Sequence, residues 1–133
     1  MKRFAASTTV AAPPEAVWRV LADVAGWPAW EPNTTAAEGV PVKDAALTFR
    51  FAYAGQPMSV SVTAIDEPFL LEWTGGDERV TGVRTHRVTP EGDGSRVEVS
   101  QVFTGPAVHQ LQLPDLDAAF GQFLDALKQR VEA

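Results

Sequence analysis

The chain of 133 residues contains no cysteine. Disulfide staples, thiolate nucleophiles and thiolate metal sites are thereby excluded, and the lack fits a cytoplasmic protein. Histidine is nearly as scarce: His86 and His109 are the only two. They lie too far apart in sequence to form a metal-binding pair, so no metal is expected. No apolar run approaches the ~18 residues of a membrane-spanning helix, and no membrane insertion is expected. The opening "MKRFAASTTVAA" begins with two basic residues but has no leucine-rich stretch behind them, so it reads as a strand rather than a signal peptide. Positive charge is also short. Eleven Lys and Arg face seventeen Asp and Glu, leaving a net charge of −6. A polyphosphate partner is repelled on average, which argues against nucleic acid. Dinucleotide fingerprints, P-loops and G-x-S-x-G elbows are missing as well, and no cofactor is expected.

What is present is an ordinary globular composition, 45% hydrophobic and 21% charged, in a length that suits one domain spanning residues 1–133. The order of elements reads as α+β. Phe4, Ala6, Thr8 and Val10 alternate along a first strand, which Pro13-Pro14 ends. Val17, Val20, Leu21 and Val24 then recur at helical spacing until Gly26. Three of the four tryptophans, Trp18, Trp27 and Trp30, crowd this helix and the "WPAWEP" turn after it. The middle of the chain alternates as strands, "ALTFRFAYA", "MSVSVTA" and "FLLEWT", with turn residues at Gly55-Gln56-Pro57, Asp66-Glu67-Pro68, Gly75-Gly76-Asp77 and Pro90–Gly94. A long helix closes the chain from Pro114 to Glu132. Its apolar stripe is Leu116, Phe120, Phe123, Leu124, Leu127 and Val131, and at 1.5 Å per residue it reaches roughly 28 Å, the length of a strand.

Antiparallel register is tested by asking whether like faces meet. Pairing Val88 with Val97 sets His86 opposite Val99, Arg84 opposite Gln101 and Gly82 opposite Phe103. The other face then pairs Arg87 with Glu98, an opposite-charge cross-strand pair. The preceding hairpins are read with Tyr53 facing Met58, Phe51 facing Val60, Phe49 facing Val62, and Ala64 facing Leu71. The inward face thus carries Tyr53, Arg84, His86 and Gln101 among apolar groups. Buried without partners, such groups cost roughly 1–3 kcal/mol each, which suits a partly hydrated pocket better than a dry core.

The stretches "APPEAVWRVLADVAGWPAW" (12–30), "FLLEWTGG" (69–76), "THRVTPEGDGSRV" (85–97) and "VFTGP" (102–106), followed by the terminal helix, resemble the START-like or SRPBCC superfamily, and within it the polyketide cyclase/dehydrase-like group. The resemblance implies a helix-grip (START/Bet v-like) fold. In it a curved seven-stranded antiparallel sheet wraps the C-terminal helix, and two short helices bridge strands one and two. It also implies a cavity between sheet and helix for a lipid, polyketide or other aromatic or isoprenoid molecule. Residues expected to line it are Phe49, Phe51, Tyr53, Val60, Trp73, Arg84, His86, Val99, Gln101, Phe120, Gly121 and Leu124. The three clustered tryptophans are expected to wedge the open end of the helix.

Three functions remain open. The first is binding of a small hydrophobic molecule. The second is a polyketide cyclase or dehydratase, with His86 as general base and Arg84 stabilising a developing enolate. Against that second reading, His86 is equally read as a satisfied interior histidine and Arg84 as a snorkelling rim residue. The third is a protein-interaction domain with a vestigial pocket. Gln101 is read as orienting or simply satisfying Arg84. Gly121 is read as making room for a ligand or for close packing, and His109 as solvent-exposed. A monomer or weak homodimer is expected.

Overall fold

A computed structural model describes residues 1–133. Seven strands form one antiparallel sheet: β1 (Lys2–Val10), β2 (Thr34–Glu38), β3 (Ala46–Phe51), β4 (Met58–Asp66), β5 (Leu70–Gly76), β6 (Thr81–Glu91) and β7 (Gly94–Thr104). Their order across the sheet is β1-β7-β6-β5-β4-β3-β2. Between β1 and β2 lie α1 (Pro14–Leu21) and a 3-10 segment, Val24–Ala29. A 3-10 turn at Val108–Gln110 precedes α2 (Leu116–Glu132). This is the expected helix-grip architecture. No helix is long and apolar enough to cross a membrane.

The strand register arranges the concave face in rows that run across the sheet. One row is Val60, Gly75, Gly82 and Phe103; the next is Val62, Trp73, Arg84 and Gln101; a third is Leu71, His86 and Val99; a fourth is Val88 and Val97. The expected β6–β7 register, including the Arg87–Glu98 pair, is the observed one. Helix α2 lies over this face and buries Leu116, Phe120, Phe123, Leu124 and Leu127, whereas Val131 is only half-buried.

Four expectations need correction. Phe49 faces Met58 and Leu47 faces Val60, so the β3–β4 register differs from the one read above. Alternation is unchanged by an even shift, and here Phe51 and Tyr53 leave the β4 ladder to stack in series with Phe49. Tyr53 consequently sits in the turn beyond β3. Val62 does face Trp73, but a bulge between Val62 and Ala64 places Ala64 opposite Glu72 rather than Leu71. Helix α1 stops at Leu21 and Gly26 falls inside the 3-10 segment. Helix α2 starts at Leu116 because the Asp115 carboxylate accepts the Ala118 N–H at 3.1 Å, an N-cap that leaves Pro114 outside.

Side chains of α2 also tie down the free edge of β1. Asp117 accepts the Ala5 N–H at 2.9 Å and Glu132 accepts the Ala11 N–H at 2.8 Å, while the Lys128 ammonium donates to the Thr9 carbonyl at 2.8 Å. Unpaired edge groups otherwise invite other chains.

The tryptophan cluster resolves around Trp27, which is fully buried. Its indole N–H donates to the Leu21 carbonyl at 3.0 Å, pinning the 3-10 segment to the end of α1. Its rings lie 5.0 Å from Phe123, 5.5 Å from Phe49 and 5.8 Å from both Trp30 and Trp73, centroid to centroid. Such pairs add about 0.5–1.5 kcal/mol each beyond the area they bury. Trp18 is buried too, and Trp30 packs half-buried against Trp27 and Phe123. The segment therefore joins α1, α2 and the sheet through one side chain.

His86 belongs to this same interior. It has no exposure, and its Nδ1 lies 3.1 Å from the Leu71 carbonyl while Nε2 has no partner. Burial first, and the nearby Arg84 charge second, push its pKa well below the usual 6.5. Nδ1 is therefore the protonated nitrogen of a neutral ring.

Two outcomes follow from this packing. Trp27→Ala is expected to cost about 3–5 kcal/mol in urea-unfolding free energy, and Trp27→Phe distinctly less, because the ring contacts are partly kept. For His86 the depressed native pKa means that the unfolded chain takes up a proton that the native state refuses. Stability is thus complete above pH 6.5 and falls as the pH drops below it, by up to ~1.4 kcal/mol per pH unit, until the native pKa is reached. His86→Gln is expected to flatten that stretch of the stability–pH curve measured by denaturant titration.

Candidate functional site

Where the row Val60–Gly75–Gly82–Phe103 passes beneath the start of α2, the space between sheet and helix stays open as a cavity of about 440 Å³. The cross-strand pair Gly75 and Gly82 lies in its floor, with neighbouring side chains closing over the bare backbone. A Cβ on Gly82 would lie 2.8 Å from the Gln101 amide nitrogen and 3.1 Å from the Phe103 ring, and one on Gly75 would lie 2.8 Å from Val60. Phe49, Phe51, Trp73, Leu116 and Phe120 supply further apolar wall. Ala54, Gly55 and Met58 and the Leu111–Pro114 segment complete the lining.

One row deeper, the wall becomes polar. Arg84 and Gln101 face each other across β6 and β7, and Tyr53 closes in from the turn after β3. Arg84 is only 4% exposed. Its guanidinium carbon lies 4.9 Å from the Phe120 ring centroid, 5.2 Å from Phe123, 5.4 Å from Trp73 and 5.6 Å from Trp27. Desolvated contacts of this kind contribute up to ~2 kcal/mol each. Burial lowers the Arg84 pKa, and Tyr53 and then Glu31 act in the opposite direction by favouring the charged form. Arginine starts so high that it stays a cation. Its Nε has no hydrogen-bond partner. Burial raises the Tyr53 pKa, against the pull of Arg84, so the phenol keeps its proton and is a donor at neutral pH. Two donor groups thus meet at the inner end of an apolar chamber. Chemically, that end suits a hydrogen-bond acceptor.

The structure brings together Phe49, Phe51, Tyr53, Val60, Trp73, Arg84, Gln101 and Phe120 at the cavity. It places His86, Val99, Gly121 and Leu124 outside the lining. His86 and Val99 share the row beneath Arg84 and Gln101 and are fully buried in the aromatic core, His86 with its ring 4.7 Å from Trp73. Leu124 is core as well, and a methyl on Gly121 would meet nothing within 4 Å. His109 sits in the Val108–Gln110 turn, exposed. Gly75, Gly82, Phe103 and the Leu111–Pro114 segment were not anticipated. The pairing of Gly82 with Phe103 was the available signal, because a glycine opposite a large ring lets that ring lie down over the bare backbone. Glu31, buried beside Tyr53 and Arg84, gave no signal beyond its place in "WPAWEP". No group of three metal-binding side chains occurs.

The fold recurs in solved structures of low sequence identity. Protein MLL2253 from Mesorhizobium loti superposes with a TM-score of 0.79 at 17% identity, covering 98% of this chain and 97% of its own. The ZhuI aromatase/cyclase from Streptomyces sp. R1128 gives 0.73 at 18% identity, with 98% and 93% covered. Ara h 8.0201 gives 0.72 at 18% identity, with 98% and 97% covered. No curated protein matches the sequence. Residues 1–132 match the family model described as "Polyketide cyclase / dehydrase and lipid transport". With that match running along nearly its whole length, and with the helix-grip sheet and cavity in place, the chain belongs to the polyketide cyclase/dehydrase and lipid transport family of the SRPBCC superfamily.

Proposed function

We propose that the protein binds a small hydrophobic molecule in the cavity between the sheet and α2. The observation that carries this reading is the cavity itself: about 440 Å³, apolar along its walls and furnished with Arg84, Tyr53 and Gln101 at its inner end. Ligand pockets typically span ~300–1,000 Å³ and join apolar walls to a few convergent polar groups. The family description, which includes lipid transport, supports the same class of ligand.

Cyclisation of a polyketide has some support in the family description and in the aromatase/cyclase neighbour. With His86 as its base it has less, since His86 does not line the cavity and has no exposure. Arg84 and Tyr53 remain as groups able to polarise a carbonyl. A protein-interaction role with a vestigial pocket has the least support. The cavity is large, and the exposed big apolar side chains, Met1, Val40, Val42, Met58 and Phe69, are spread over four segments of the chain.

The neutral fluorophore Nile red tests the proposal. Its emission is expected to rise and shift to the blue with the wild-type protein, and Gly82→Val, whose side chain would displace the Gln101 amide and the Phe103 ring that line the cavity, is expected to weaken binding at least about tenfold with an unchanged circular dichroism spectrum. Unchanged binding by that variant places the fluorophore elsewhere and counts against the cavity.

A further inference from the structure

Glu31 is the only carboxylate among the buried residues, at 4% exposure. It follows the Val24–Ala29 segment, which its backbone N–H extends by donating to the Trp27 carbonyl at 2.8 Å. Its side chain is held in place: one oxygen accepts the Asn33 N–H at 3.1 Å and the other accepts the Thr34 hydroxyl. So fixed, it borders a small void of about 10 Å³ together with Tyr53 and Arg84. That is about the space one water molecule requires. No direct ion pair joins Glu31 to Arg84; the direct pairs of the molecule are Lys43–Asp44 and Lys128–Glu132. Both charges are nevertheless withdrawn from bulk solvent, where ionic screening is weak, so they act on each other across the gap.

We propose that Glu31 determines the charge of the ligand that the cavity accepts, by balancing Arg84 from behind so that the site takes neutral, acceptor-bearing molecules and disfavours carboxylates. The inference rests on the hydrophobic-ligand reading above and narrows it. With Glu31 in place, the polar end of the cavity offers donors but no net charge. A ketone, ester or amide oxygen can accept from Arg84 or from the Tyr53 hydroxyl and adds no charge of its own. A carboxylate brings a second negative charge toward Glu31 in a poorly solvated space, where an unbalanced ion is costly. Free fatty acids and other apolar anions therefore fall outside the preferred class. A Glu31 that only closes the Asn33–Thr34 turn would have no effect on this choice.

Three probes sharing one ring system separate these outcomes: 2-acetylanthracene, 2-ethylanthracene and anthracene-2-carboxylate, each titrated by quenching of tryptophan emission. The wild type is expected to bind the ketone at least about tenfold tighter than the carboxylate. Glu31→Gln leaves Arg84 unbalanced and is expected to reverse that order, whereas Arg84→Met is expected to bring the ketone down to the affinity of the ethyl compound. A wild-type preference for the carboxylate overturns the proposal, and this arm needs no variant to fold. A folded Glu31→Gln protein with the wild-type ratio overturns it too. Failure of all three probes to bind overturns the hydrophobic-ligand reading, and this inference with it. Binding of the ketone and the ethyl compound with equal binding of the carboxylate overturns only the present inference.

Discussion

A straight helix can stay in contact with a curling sheet along only part of its length. Strand twist turns the sheet away from the α2 axis, so the gap between them widens from one end to the other. The chain treats the two ends differently. The rows containing Leu71, His86, Val99, Val88 and Val97 are sealed by Phe123, Leu124 and Leu127 of the helix and by the Trp27 wedge. The row containing Gly75 and Gly82 lies instead in the floor of the cavity that α2 leaves open. Core and cavity are therefore one continuous interior, divided by which rows α2 seals.

Arg84 stands at that division. The row beneath it, Leu71, His86 and Val99, is fully buried, and the row above it opens into the chamber. A guanidinium survives there because aromatic faces on several sides and the Tyr53 and Glu31 groups offset its desolvation. The same cation depresses the basicity of His86 below it and lowers the Tyr53 pKa against the effect of burial. Burial is the larger influence on both neighbours: Arg84 reinforces it at His86, which stays a neutral imidazole in the core, and opposes it at Tyr53, which still keeps its proton at the cavity.

The sequence made the fold legible wherever two independent patterns agreed. In β6–β7 the apolar alternation and the Arg87–Glu98 pair specify one register, and it is the observed one. In β3–β4 only alternation was available. It fixes which face a residue takes but not which partner it meets, so Phe49 faces Met58 instead of Val62. The same limit governs the site. Alternation turned both Arg84 and His86 inward, but depth along the strand depends on where α2 and the Trp27 wedge make contact, and those contacts are far apart in sequence. Glycines were harder still. Gly75 reads as turn punctuation until Gly82 is set opposite it, and only then does the pair become a patch of bare backbone on which Val60, Gln101 and Phe103 close in. Glu31 was illegible for a different reason. An acidic residue in a Pro-rich turn is ordinarily solvated, and its burial depends on Thr34, Asn33 and a helix some ninety residues away.

The hydrogen bonds from Asp117, Lys128 and Glu132 to β1 bear on how copies of the chain can meet. An open sheet ordinarily offers two borders for strand addition, and repeated addition at both yields filaments. Here α2 side chains bond the Ala5 N–H and the Thr9 carbonyl of the β1 border and the Ala11 N–H just beyond it. The border that remains is β2, five residues long and irregular between Thr34 and Ala36. Helix α2 thus covers part of one border with its own charged side chains, and the other is kept short and bulged, so neither offers a long regular row of free backbone groups.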